Sequence, residues 1–138
     1  MKIERLVVDA VAAVDYLNPA RLTPPAFDDV HLLILPLPVL GELRFGALNA
    51  APTWRDAVTQ QLEEFVSRCE LLLPTAETAD FYARIRTQKT LAPNISIKRQ
   101  VHLLNDLWTA ALRLQHRLPL LSNDRDFDDI NDLEVIRW

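Results

Sequence analysis

The chain has 138 residues, 49% of them apolar and 25% charged, which suits one soluble domain, residues 1–138, able to bury its own core. Its net charge of −4 argues against bulk attraction to nucleic acid. A lone cysteine, Cys69, excludes a disulfide framework and a cysteine-based zinc site; it reads as a small buried apolar residue.

The elements follow in chain order. "KIERLVV" is short, apolar and β-branched and reads as a strand, with "DAVAAVDYL" a helix behind it. Asp9 and Asp15 break this apolar start, which argues against a signal peptide. "VHLLILPLP" is a second buried strand, stopped by prolines that cannot donate to a ladder. The longest apolar stretch, Leu32 to Gly41, has ten residues and two prolines, whereas a membrane helix needs roughly 20 apolar residues. A cytoplasmic protein without a membrane span is therefore expected.

Beyond Pro38, the residues Val39, Leu40, Leu43 and Ala47 recur at helical spacing. The apolar positions Trp54, Ala57, Val58, Leu62, Phe65, Val66 and Cys69 form one stripe of an amphipathic helix, which predicts a core position for Trp54. "ELLLP" is a short strand. Thr75 then predicts an N-cap, with Glu77 in the first turn of a helix reaching to about Leu91. "NDLWTAALRLQHR" predicts a helix opening at Asn105 or Asp106, with Trp108 on its buried stripe, and "LPLLS" and "LEVIRW" predict two last strands. No repeat, low-complexity segment or Gly/Ser linker interrupts the pattern.

Strands that are apolar throughout, alternating with helices, predict a three-layer α/β/α sandwich with a short parallel sheet. In such folds functional groups gather beyond the carboxyl ends of the strands. Acids occupy those places: Asp9 ends the first strand, Glu42 lies in the first turns after the second, Asp106 opens the last helix, and Asp124 and Asp126 follow the fourth strand. Six of the eleven residues from Asp124 to Glu134 are acidic. Taken singly, Asp106 reads equally as a cap, Asp124 as a turn residue and Glu42 as solvated. Asp9, inside an otherwise buried segment, needs a partner, because burying an unpaired charge is costly. If the acids converged, their mutual repulsion would call for a divalent cation, and oxygen donors without Cys or His favour Mg²⁺ or Mn²⁺ over zinc.

The segments "VVDAVAAVDYL", "LGELRFGAL", "NDLWTAALRLQHRLPLLSNDRDF" and "DLEVI" resemble, in order and over essentially the whole chain, the successive motifs of PIN-domain nucleases, particularly VapC-type toxins of bacterial toxin–antitoxin pairs. The resemblance implies a PIN-like fold and a metal-dependent endoribonuclease that leaves 5′-phosphate and 3′-hydroxyl ends. It implies that Asp9, Glu42, Asp106 and Asp124 are catalytic and hold Mg²⁺ or Mn²⁺, with Asp126 an additional metal ligand used by some members. Asp128, Asp129 and Asp132 would then be solvated loop acids. Expected partners are an RNA substrate, a cognate antitoxin whose segment occupies the acidic cleft, and a second copy in a homodimer.

One position departs from the family pattern. Two residues after the first aspartate the family usually has Asn or Ser, and here stands Val11. If the departure loosens Asp9, metal binds weakly, Val11→Asn tightens it, and the competing reading of a non-catalytic PIN-like binding or scaffold domain is favoured; if Ser122 or a backbone N–H already orients Asp9, the departure is neutral. Asn105 and Ser122 are expected to support the site. His31, His102 and His116 lack a shared spacing and a partner acid, so each is expected to be structural or on the surface. Arg44 would meet a phosphate or neutralise the acids. From Phe81 through Asn105 there is no acid, and Arg84, Arg86, Lys89, Lys98 and Arg99 form a basic flank suited to guiding RNA.

Overall fold

The structure, a computed structural model, describes residues 3–17, 30–88, 96–122, 127, 130 and 132–137. Strand β1 (Ile3–Val8) leads into helix α1 (Ala10–Leu17); β2 (Val30–Pro36) leads into α2 (Leu37–Leu48) and α3 (Pro52–Ser67). Then come β3 (Cys69–Leu72), α4 (Ala76–Gln88), α5 (Ile97–His116), β4 (Leu120–Leu121) and β5 (Val135–Ile136). The strands form one sheet in the order β3-β2-β1-β4-β5, parallel throughout. The chain thus leaves every strand at the same edge.

The two-residue period of the strands divides the core in two. Val7 and Ile34 face one side and pack with Ile85 of α4 and Leu107, Ala110 and Ala111 of α5. Their neighbours Val8 and Leu35 face the other, against Ala13 of α1, Val39, Leu43 and Ala47 of α2, and Leu62 and Phe65 of α3. Burial on both faces is why these strands are apolar throughout. The result is the three-layer sandwich expected from the sequence.

Prolines make the turn from β2 to α2. Pro36 is still extended, at φ −65° and ψ 144°, and Pro38 lies in the first helical turn, where no partner for its missing N–H is required. The expected N-cap before α4 is modified: Thr75 accepts from Ala79 N through its carbonyl, while its own N–H donates to Thr78 Oγ1 at 2.8 Å. Glu77 does lie in the first turn. The expected end near Leu91 lies outside the described residues.

Three expectations are overturned. Helix α5 starts at Ile97, where Ser96 Oγ accepts the Arg99 N–H at 3.1 Å. Asp106 is therefore the tenth of twenty helical residues and cannot cap. A cap found upstream overrides the weaker cap signal at Asn105 and Asp106. Trp54 is 65% exposed, because α3 has barely begun there and only its later turns, at Leu62 and Phe65, reach the sheet. Cys69 is not on that helix but opens β3. Trp108 is half-buried and stacks on Tyr82 with ring centroids 4.1 Å apart.

Candidate active site

Asp9 sits one residue beyond β1, 4% exposed. Its backbone N–H donates to Leu121 O of the adjacent β4, and its carbonyl accepts from Ala13 N, which makes it the residue that opens α1. One carboxylate oxygen, Oδ1, accepts the Ala12 N–H at 2.8 Å in N-cap fashion. The other, Oδ2, accepts a short hydrogen bond from Ser122 Oγ. Ser122 is itself fixed: its N–H donates to Ile136 O at 3.0 Å and its carbonyl accepts from Arg137 Nη1 at 2.9 Å. The sheet therefore holds the serine, and the serine and the helix end hold the aspartate.

This arrangement corrects the expectation drawn from Val11. Val11 is 40% exposed and lines a groove, while two other donors already orient Asp9. A polar side chain at position 11 has no orienting task left to perform. Parallel pairing of β1 with β4 brings position 122 to Asp9 across 113 residues of sequence.

Glu42 lies in α2, and its Oε1 accepts from Asn105 Nδ2 of α5 at 2.8 Å. On the next residue, Asp106 is buried and its Oδ2 lies 3.2 Å from His102 Nε2. Sequence reasoning denied His102 a partner acid; the i,i+4 spacing on one helix was the signal that could have found it. Of the other histidines, His116 is exposed, and the side chain of His31 lies outside the described residues. Arg44 is exposed and pairs with Glu63 across α2 and α3.

A groove of about 690 Å³ joins these groups. It is lined by Ala10 and Val11, beside Asp9, by Glu42, by His102, the partner of Asp106, and by Leu43 and Leu62. Its wall is mostly apolar, and Glu42 is the acid that lines it among the described residues. Asp124 and Asp126 lie outside the described residues. Among the described residues, no group of three or more His, Cys, Asp or Glu is placed to hold a metal ion. The donor set that is described offers carboxylate oxygens and no thiolate, since Cys69 stands on β3 with its thiol pushed up to about 11 by burial. Such a set suits a hard divalent cation.

Among the described residues, no helix is long and apolar enough to cross a membrane. The family model described as PIN domain matches residues 6–133. Over 103 residues, covering 71% of this chain and 70% of that protein, the sequence is 38% identical to "Ribonuclease VapC5" of Mycobacterium tuberculosis. The fold is similar to that of VapBC2 from Rickettsia felis, solved bound to a DNA fragment from its promoter, with a TM-score of 0.75, 21% identity and coverage of 97% and 98% of the two chains. It is likewise similar to DNA-bound VapBC from Salmonella typhimurium, with a TM-score of 0.77, 17% identity and 99% of each chain covered. With the motif order, the parallel sheet and Asp9 at its carboxyl edge in place, the match over nearly the whole length shows that the chain belongs to the PIN domain family.

Proposed function

We propose that this protein is a metal-dependent endoribonuclease, the toxin half of a toxin–antitoxin pair. The similarity to a ribonuclease at 38% identity supports the activity, and the hold on Asp9 by Ser122 and Ala12 is the observation that carries it for this chain. A carboxylate fixed by two neutral donors keeps its negative charge and a set orientation, which is what a ligand to a cation requires. Neutral Asn105 does the same for Glu42.

In this reading Asp9, Glu42, Asp106 and Asp124 hold Mg²⁺ or Mn²⁺, with Asp126 in support. When bound, such an ion lowers the pKa of water and offsets the charge of a phosphate under attack. The protein's own share is positional. Ser122 and the Ala12 N–H set the plane of the Asp9 carboxylate, Asn105 sets that of Glu42, and His102 holds Asp106 from the turn before it. Arg84, Arg86, Lys98 and Arg99 supply positive charge that offsets the repulsion between RNA and the acidic edge.

The apolar groove beside the acids suits a segment of the cognate antitoxin, which would cover the acidic end as it binds. A homodimer in the cytoplasm completes the proposal. The non-catalytic alternative rested on Val11, and the donors found on Asp9 remove that support.

The test is cleavage of structured RNAs by the full chain with Mg²⁺ or Mn²⁺, alongside calorimetric titration of each ion. Cleavage should require the ion, stop with EDTA, and fall by more than about a hundredfold in Asp9→Asn, because loss even of a group that merely supports a ligand costs ten- to hundredfold. Metal binding without cleavage would favour the non-catalytic domain, and cleavage unchanged in Asp9→Asn would refute the assigned site.

A further inference from the structure

A second cavity, of about 540 Å³, lies between α4 and α5 and is lined by Arg84, Gln88, Arg113 and Arg117 together with Phe81 and Asp132. Arg117 and Asp132 lie just before β4 and β5, which puts the cavity at the amino edge of the sheet, opposite Asp9. Its volume falls within the range of about 300–1,000 Å³ usual for small-molecule sites.

Three observations single it out. Arg113 is only 7% exposed. Its Nη1 donates to the backbone carbonyl of Asp132 at 2.7 Å, its Nη2 is 4.0 Å from Glu134, whose side chain is 67% exposed, and among the described residues its Nε has no hydrogen-bond partner. Burial lowers the pKa of this guanidinium, with Glu134 and Asp132 opposing the shift. A buried cation left so poorly compensated costs stability.

Second, among the described residues the two non-glycine residues with positive φ, Arg117 at 54° and Asp132 at 62°, both line this cavity. Glycine would take the position after α5 without strain, so the chain keeps an arginine side chain there at a cost of roughly 1–3 kcal/mol. Third, Arg84 lies over the Phe81 ring, 5.5 Å from its centroid, which restrains the third guanidinium beside the other two. A purely structural account, with arginines complementing the carboxyl ends of the helices, covers Arg84 and Arg117. It leaves the buried Nε–H of Arg113 unexplained.

The geometry points to a phosphate-binding pocket at the amino edge of the sheet, in which Arg84, Arg113 and Arg117 grip a phosphoryl group and Gln88 adds a neutral donor. Three guanidiniums against the single lining acid Asp132 leave a net charge of +2 on the lining side chains (3 − 1). Planar, multiply donating guanidiniums suit phosphate oxygens better than any other side chain does. The phosphoryl group belongs either to an RNA backbone or to a small phosphate-bearing molecule. The pocket does not depend on the proposed ribonuclease activity.

The experiment uses the full chain with ¹⁵N-labelled arginine and EDTA present, so that cleavage does not enter. Inorganic phosphate and a 5′-nucleoside monophosphate are titrated against chloride at constant ionic strength, and the Arg113 Nε–H resonance is followed. Phosphate should shift it saturably. Arg84→Gln with Arg117→Gln, both at exposed residues, should leave the melting curve nearly intact and weaken phosphate about tenfold or more, the loss expected when charge-assisted hydrogen bonds are removed. A parallel arm measures single-stranded RNA binding against salt. A slope smaller by about 0.7 in the single variant Arg117→Gln, which lies outside the basic flank, assigns the pocket to RNA backbone. An unchanged slope with the phosphate effect present assigns it to a small ligand. No phosphate shift beyond that of chloride, together with an unchanged RNA slope, would overturn the pocket and leave the arginines purely structural.

Discussion

The two edges of the sheet treat charge in different ways. At the carboxyl edge, Asp9 is held by a serine hydroxyl and a backbone N–H, and Glu42 by an asparagine amide, all of them neutral donors. At the amino edge, Arg113 is buried against a backbone carbonyl and a carboxylate 4.0 Å away. Neutral donors orient a charge without cancelling it, so an acid held this way keeps its pull on a cation. The arginine stays charged because a guanidinium holds its proton strongly even where burial lowers its pKa, and the poor compensation of that charge costs stability. The comparison separates charges that the fold positions from a charge that the fold tolerates, and mutations can break it.

The largest expected effect is common to both edges. Leu62→Ala removes a side chain 2% exposed under the groove, and denaturant unfolding should show a loss of about 2–5 kcal/mol. The ratio of Mn²⁺ to phosphate affinity should survive in the folded fraction; a loss under about 1 kcal/mol would mean that α3 is not core there.

Next come the acids. Ser122→Ala leaves Oδ2 of a buried aspartate without its hydroxyl donor and should weaken Mn²⁺ about ten- to hundredfold by calorimetry. Val11→Asn, by contrast, should change that affinity by less than about twofold, far below the usual cost of a lost supporting group. The reverse ranking would return the orienting task to position 11.

At the amino edge, Arg113→Met should change stability by less than about 1 kcal/mol or raise it, because an apolar side chain of similar length suits a site that leaves a guanidinium poorly compensated. A loss of 3 kcal/mol or so, the scale for breaking a buried ion pair, would show that the arginine is compensated after all.

The smallest effect belongs to Cys69, at the start of β3 and part of neither site. Its thiol is raised to about 11 from an ordinary 9, chiefly by burial. The unfolded chain therefore loses this proton first, so the contribution to stability is complete below about pH 9 and declines as pH rises toward about 11. Reaction with a disulfide reagent at pH 8 should be slow in the folded chain and quicken in denaturant; equal rates would place the thiol in solvent.

Much of the fold was legible because the signal is local. Unbroken apolar strands between helical stripes can be buried only in a parallel sheet covered on both faces, and prolines at 36 and 38 mark where β2 gives way to α2. Trp54 misled because a stripe records which side of a helix is apolar, not how far along the helix the core extends. Asp106 misled because an N-cap residue looks the same in sequence whether or not a helix has already started upstream.

For the acids, the sequence by itself determined their identity and their place at strand exits and on the following helices, since strand order along the chain and the rule of parallel sheets fix which ends face together. It could not determine what holds them. Ser122 reaches Asp9 because β4 pairs with β1, and Asn105 reaches Glu42 because α5 packs beside α2, across separations of 113 and 63 residues. Nor could it announce that Arg84, Arg113 and Arg117 share a cavity. Hydrogen bonds act over about 3 Å, while sequence patterns speak only of neighbours along one element. Contacts between elements were therefore decided by the tertiary structure alone.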